Sequence, residues 1–264
     1  MQALFLMIRF LTRWPLPEAW FRADFSEDNF VRGMKWLPLV GLLVGLPAAL
    51  WLWFAETILP HDNFFGPFCA VALLIRASGG LHMDGLADTA DGLFANRPRE
   101  KMLAIMRDST VGAGGVIAIV LDILGKFLLV SDLVVAGSSE TAVVAILAAP
   151  VCGRMALVWH AAAAPYARNE PGLGAFVNRV GYRHALAATL VALALLTPLS
   201  FFLCGTWTCR LGLLALFVLG PIALALLFAR HLAKRLGGIT GDTMGATIEL
   251  AELATLFLCL LAFS

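Results

Sequence analysis

Residues 34–59 read MKWLPLVGLLVGLPAALWLWFAETIL, a run in which only Lys35 and Glu56 carry charge. An α-helix needs about 20 predominantly apolar residues to cross a bilayer core, and this run supplies more. Similar runs lie at 64–80, 109–130, 140–160, 184–204, 211–229 and 247–263. The second is the weakest, because Pro67, Arg76 and the pair Gly79-Gly80 shorten it. Composition agrees: 60% of the 264 residues are hydrophobic and 14% charged, whereas soluble domains carry about 25% charged residues. The mean hydropathy is +0.86. The sequence predicts an all-α, polytopic integral membrane helical bundle, one domain over 1–264. About seven transmembrane helices are expected, with an N-terminal interfacial helix and a cytoplasmic Asp-rich helix.

Lysine and arginine placement orients the bundle, since cytoplasmic loops carry the excess. With the N-terminus inside, the cytoplasmic segments hold Arg9, Arg13, Arg22, Arg32 and Lys35; Arg97, Arg99, Lys101 and Arg107; Arg168, Arg179 and Arg183; and Arg230, Lys234 and Arg235. These are fifteen of the 19 basic residues. The opposite loops hold only Arg210, and Arg76, Lys126 and Arg154 fall within spans. The C-terminus is thus expected outside, in a multi-pass protein of the cytoplasmic (inner) membrane. A net charge of +1 conceals this asymmetry, which concerns topology and lipid head groups; no nucleic-acid motif is visible.

The opening MQALFLMIRFLTRWPLP does not read as a secretory signal, because Arg9 and Arg13 interrupt it and Pro15 and Pro17 stop it. It reads as an amphipathic helix on the membrane surface with Phe5, Phe10 and Trp14 as anchors. No CxxC pair or His/Cys cluster suggests zinc. Cys204 and Cys209 flank Gly-Thr-Trp-Thr on the outside, where either a disulfide or two buried thiols fit. No internal repeat of the inverted-transporter kind is visible, and small-residue spacing leaves room for a homo-oligomer.

Chemistry is concentrated in Gly79–Gly92, GGLHMDGLADTADG. Asp84, Asp88 and Asp91 stand at i, i+4 and i+7, which a helix gathers within an arc of roughly 60°. Carboxylates about 6 Å apart repel by about 3 kcal/mol per pair at an effective dielectric near 20. Such a stripe calls for a neutralising cation, and an all-oxygen donor set suits Mg²⁺ or Mn²⁺ rather than Zn²⁺. His82 falls about 160° around the same helix, away from that face.

Two glycine-rich loops lie on the same side. MRDSTVGAGG (106–115) leads into the third span; Asp108 or Ser109 can cap that helix, and its N–H groups with Arg107 suit a phosphate. Close helix packing is the equally weighted alternative for these glycines. GGITGDTMGA (237–246) carries Asp242 and feeds the last span, where Glu249 and Glu252 sit one turn apart. Carboxylates at that depth need a metal or a cation, with Arg76, Arg154 and Lys126 as candidates. Asp122 and Lys126 read as a mutual structural pair, His160 and His231 as interfacial. Arg168 reads as a loop charge within reach of a phosphate.

Taken in order, LTRWPLP (11–17), GGLHMDGLADTADGLFA (79–95), MRDSTVGAGG and GGITGDTMGATIEL (237–250) make the chain resemble the cobalamin synthase (adenosylcobinamide-GDP ribazoletransferase) family along essentially its whole length. The resemblance implies a Mg²⁺-dependent transfer. A ribose hydroxyl of α-ribazole, or of its 5′-phosphate, attacks the cobinamide-bearing phosphate of adenosylcobinamide-GDP, and GMP leaves as adenosylcobalamin or its 5′-phosphate forms.

The residues fit such phosphoester chemistry, which needs charge neutralisation and an activated alcohol. Asp84 and Asp88 are expected to bind metal, with Asp91 a further ligand or the general base and Asp88 also placed among the catalytic groups. Asp242 is a candidate to complete the metal shell. Arg13, Arg107 and Ser109 are candidate phosphate contacts; Asp108, Glu249 and Glu252 are further candidates. A CDP-alcohol phosphotransferase is the runner-up, but its D-x-x-D-G-x-x-A-R pattern is not matched after Asp84-Gly85. A cation-coupled transporter would use Asp122, Lys126, Glu249 and Glu252, yet the polar motifs cluster at one face rather than at mid-bilayer.

Overall fold

A computed structural model describes residues 2–15, 26–59, 64–168 and 173–263. Leu16 and Pro17 of the LTRWPLP motif, Arg22, the connection at 60–63 and the loop residues 169–172 lie outside the described residues. The elements are α1 (Gln2–Leu11), α2 (Glu27–Gly33), α3 (Leu37–Ile58), α4 (Phe65–Ser78), α5 (Leu81–Phe94), α6 (Arg99–Ile105), α7 (Ala113–Asp132), α8 (Ser139–Ala163), α9 (Tyr182–Leu203), α10 (Trp207–Leu236) and α11 (Gly241–Phe263). Among the described residues the one extended pairing is Tyr166 beside Ile239.

Among the described residues six helices are long and apolar enough to cross a membrane: the run Glu27–Ile58 that unites α2 and α3, then α7, α8, α9, α10 and α11. The expected span at 64–80 differs. α4 has 14 residues, about 21 Å of helix and short of a full crossing. It meets α5 at 89°, and only the bent pair taken together makes a seventh span. Gly79 and Gly80 cause the break: both adopt left-handed backbone, φ +66° and +75°, a conformation that costs glycine little. The bend turns the aspartate helix across one end of the bundle.

α8 is the axis of the bundle, with 89% of its apolar window buried, and it packs against α3, α9, α10 and α11. Small residues make this possible, as expected where helices associate by close backbone approach. A Cβ at Gly41 of α3 would overlap the Pro150 carbonyl, and one at Gly45 would stand 3.2 Å from the Ile146 oxygen. In α7, α9 and α10 only 22% of the window is buried. Their exposed Leu121, Leu186 and Leu219 suit lipid rather than water. α1 turns Leu6, Met7, Ile8 and Leu11 into the core, and Phe10 and Trp14 remain exposed. Cys204 and Cys209 are paired as a disulfide with Cα atoms 5.5 Å apart. It closes the α9–α10 turn at the end of the bundle remote from α5.

Candidate active site

α5 buries His82, Gly85, Leu86 and Thr89 on one side and presents its aspartates on the other. Asp84 is exposed; Asp88 and Asp91 are half-buried. Gly85 faces the start of α11 so closely that a Cβ there would lie 2.6 Å from the Asp242 carbonyl, and a Cβ at Gly245 would lie 3.3 Å from the Cα of His82. This backbone-to-backbone contact carries Asp242 to the aspartate stripe.

The second glycine-rich loop is built to hold Asp242. Gly237 ends α10 with φ +75°, after which Ile239 N–H donates to the Pro165 carbonyl at 2.9 Å and Ala167 N–H to the Ile239 carbonyl at 2.8 Å. Thr240 and Thr243 cap each other: Thr240 N–H donates to Thr243 Oγ1 at 2.9 Å, and Thr243 N–H to Thr240 Oγ1 at 3.3 Å. The pairing sets Arg168 beside the first turn of α11. There its Nη2 donates to Asp242 Oδ2 at 3.0 Å, while its buried Nε has no partner among the described residues.

Asp91 is engaged differently from the other two. Its Oδ2 accepts from Gly112 N–H at 2.7 Å and its Oδ1 from Gly115 N–H at 2.8 Å, so it caps α7 from a neighbouring helix. This corrects two expectations. Neither Asp108 nor Ser109 caps α7; Asp108 instead accepts from Thr110 N–H at 2.9 Å and Thr110 Oγ1 at 2.7 Å. The N–H groups read as a phosphate site are occupied by a carboxylate of the chain itself. The glycines make room for it, because a Cβ at Gly112 or Gly115 would come within 2.6 Å of an Asp91 oxygen.

The acidic group is undercompensated. Burial first, then the charges of Asp84, Asp242 and Asp91, push the Asp88 carboxyl up to about 6, and Arg168 lowers it only in part. Among the described residues no three His, Cys, Asp or Glu side chains are gathered closely enough to hold an ion by themselves.

Two cavities open here, and among the described residues Arg168 is the one lining residue they share. The first, about 460 Å³, is walled by Arg99, Arg107 and Arg168 with Glu100, Leu103 and Ala104. Arg99 braces it by donating from Nη2 to the Ala167 carbonyl at 2.9 Å. The second, about 230 Å³, has Asp84, Asp242, His82 and Arg168 at its polar part and Phe10, Leu11, Leu157 and Phe176 at its apolar part. Arg13 stands elsewhere: its N–H donates to the Ala77 carbonyl at 2.9 Å and its side chain covers Gly79, at the α4–α5 bend. Ser109 is exposed.

Behind α5 lies a buried ionic network. Lys126 of α7 pairs with Asp122 at 3.1 Å, with Glu252 at 2.9 Å and with Glu249; Arg154 of α8 pairs with Glu252 and reaches His82 Nδ1 at 3.2 Å. The candidates Glu249 and Glu252 thus meet Lys126 and Arg154, two of the three cations expected for them. Arg76 is exposed and, among the described residues, takes no part in this network. Asp122–Lys126 is one edge of a larger cluster rather than an isolated pair. His160, expected at an interface, is fully buried on the central helix, within 3.3 Å of Thr243 Oγ1 and 3.4 Å of the Ala225 carbonyl.

Sequence reasoning underrated Arg168 and passed over Arg99. Both gain their importance from the pairing of 165–167 with Ile239, which no local pattern announces.

Fold and site together define a polytopic all-α membrane protein whose polar residues converge at one end, around carboxylates and arginines. The model of the cobalamin-5-phosphate synthase family matches residues 3–260, and the chain belongs to that family. A relative in Fusobacterium nucleatum, named adenosylcobinamide-GDP ribazoletransferase, is 34% identical, with 98% of this chain and 97% of the relative aligned. Relatives of the same name in Alkaliphilus oremlandii (36% identical, 98% and 96% aligned) and Escherichia coli (36%, 95% and 96%) agree. No solved structure matches.

Proposed function

We propose that this chain is an adenosylcobinamide-GDP ribazoletransferase. A ribose hydroxyl of α-ribazole 5′-phosphate, or of α-ribazole itself, forms a bond to the cobinamide-bearing phosphorus. The bridging P–O bond of the diphosphate breaks, and GMP departs with the electron pair. The observation that carries this reading is the convergence of Asp84, Asp88 and Asp242 on Arg168, beside an arginine-lined cavity. Carboxylates and guanidinium groups at one place serve a transfer in which an alcohol loses a proton and a phosphate accepts charge.

Within that scheme Asp88 takes the hydroxyl proton. Its raised pKa brings it near the working range of a general base. Asp91 is a positioning residue, since both its oxygens hold α7. Arg168 and Arg107 bind diphosphate oxygens, Arg168 through its planar fork. The donor set fits Mg²⁺: it is all oxygen, and its negative charge exceeds what Arg168 offsets. Asp84 and Asp242 would hold the ion. That no three carboxylates gather alone accords with an ion that keeps waters and shares its shell with substrate phosphates. Bound Mg²⁺ supplies charge neutralisation on the diphosphate.

The aspartate end faces the cytoplasm of the inner membrane in this reading, because the excess of Lys and Arg lies there. The Cys204–Cys209 disulfide at the other end suits an oxidising compartment. A reporter fused to the C-terminus is expected outside. The activity is tested by stripping the purified protein with EDTA, restoring Mg²⁺, and following cobalamin 5′-phosphate from adenosylcobinamide-GDP and α-ribazole 5′-phosphate. Product that depends on Mg²⁺ supports the reading; full turnover in EDTA contradicts the metal, and no product under any condition contradicts the activity.

A further inference from the structure

We infer that the two cavities are separate subsites for the two substrates, meeting at Arg168: the amphipathic one seats the heterocycle and ribose of the acceptor, and the arginine-lined one seats the departing nucleoside monophosphate. The inference rests on the ribazoletransferase reading and divides its site.

The chemistry of the walls makes the division. A nucleoside joins a flat apolar base to a polyhydroxyl sugar, and the cavity of about 230 Å³ is polarised in the same way. Its apolar part carries two aromatic rings among aliphatic ones, Phe10 and Phe176, and both pack on Phe30. Phe30 stacks on Phe176 with centroids 5.0 Å apart and 19° between planes, and Phe10 meets Phe30 edge-on at 5.2 Å. A smaller apolar hollow of about 30 Å³ continues behind Phe10 and Phe176, lined also by Phe30. An aromatic base inserted here adds one more ring to an existing stack. The ribose then falls toward Asp84 and Asp242, and His82 lines this cavity with its buried Nε2 lacking a partner among the described residues.

The arginine-lined cavity has the opposite character. Its three guanidinium groups outnumber the one carboxylate of Glu100 and suit phosphate oxygens, and among the described residues it has no aromatic lining. With the acceptor on one side of Arg168 and the leaving group on the other, the attacked phosphorus lies between them, as displacement in line requires. The corrin macrocycle is larger than either cavity and stays outside both.

The test uses the full-length protein in lipid nanodiscs. Phe10→Ala removes part of the aromatic wall. Gly241→Leu places a side chain in the acceptor cavity at a position where a Cβ meets no atom within 4 Å. Phe10→Ala is expected to raise the acceptor KM about tenfold, the scale of one lost aromatic contact, and Gly241→Leu to raise it at least as much by occupying the cavity, with the donor KM unchanged in both. Arg107→Ala is expected to do the reverse. Binding is measured in parallel on the wild type without turnover: α-ribazole 5′-phosphate and GMP should bind together, and GMP should compete with adenosylcobinamide-GDP alone. Displacement of α-ribazole 5′-phosphate by GMP, or a donor KM raised by Phe10→Ala and Gly241→Leu, would overturn the division. A wild type that binds both ligands together yet forms no product would overturn the proposed reaction instead.

Discussion

Arg168 Nη2 stands 3.0 Å from Asp242 Oδ2, joining the segment before the 169–172 loop to the first turn of α11. The pair is only partly buried, its side chains 16% and 24% exposed, so its direct contribution to stability is small. Its importance is chemical: it is the positive charge held against the aspartates, at the junction of both cavities.

Replacing Arg168 by Ala should therefore lower kcat by about 10²–10³, the loss seen when one preorganised charge-stabilising donor is removed. Arg168→Lys should recover part of that loss and no more, because an ammonium lacks the bidentate fork. Steady-state kinetics and a thermal melt together test this; a melt that falls as far as kcat would reassign Arg168 to structure.

Asp91 and Asp88 should separate cleanly. Asp91→Ala leaves two N–H groups of α7 uncapped and should cost about 1–3 kcal/mol of stability, while Asp91→Asn keeps one acceptor and a measurable turnover. Gly115→Ala should mimic Asp91→Ala, since its Cβ would stand 2.6 Å from Asp91 Oδ2. Asp88→Asn should fold normally and lose about 10²–10⁴ in kcat, the usual contribution of a general base. Normal stability in Asp91→Ala would remove it from the positioning role.

The pH profile carries the sign of the Asp88 shift. A base raised to about 6 is protonated and inactive at lower pH, so kcat/KM should rise with pH through about 6 and then level. Increasing Mg²⁺ should move that limb to lower pH, because a neighbouring cation favours the carboxylate. A profile that stays flat across about pH 5 to 8 would exclude Asp88 as the base.

The buried network predicts a different kind of loss. Arg154→Leu leaves Glu252 with Lys126 as its one cation, which Lys126 must share with Asp122 and Glu249, and removes the partner of His82 Nδ1; it should destabilise the bundle by about 3–5 kcal/mol. Unfolding in mild detergent measures it. A neutral result would mean that Lys126 alone compensates both glutamates.

Much of this protein is legible in its periodicity. The apolar runs locate six crossing helices, though α10 extends seven residues past 229 and α11 begins six before 247; the 100° step of a helix turns His82 toward Arg154, yet in the first turn of α5 it also lines the cavity that Asp84 and Asp242 line. Gly79-Gly80 was visible as a weakness in the second run, but two left-handed residues in succession, and the 89° turn they make, depend on what α5 packs against. The capping of α7 is invisible locally because Asp91 lies 21 and 24 positions from its partners. Asp108 and Ser109, adjacent in sequence, are the caps that local pattern offers. Arg168 lies 74 positions from Asp242, and its loop composition alone describes a solvated charge. His160 resembles any histidine near a helix end until α8 proves to be the buried axis.

The central claim is that these aspartates drive a phosphoester transfer to α-ribazole 5′-phosphate. Its most direct test follows GMP release from adenosylcobinamide-GDP by purified wild type, Asp84→Asn and Asp88→Asn with saturating Mg²⁺, with and without the acceptor. Wild type should release GMP only when the acceptor is present, in step with cobalamin 5′-phosphate, and both folded variants should be nearly inactive. Wild-type rates in both variants, or GMP release that ignores the acceptor, would contradict it.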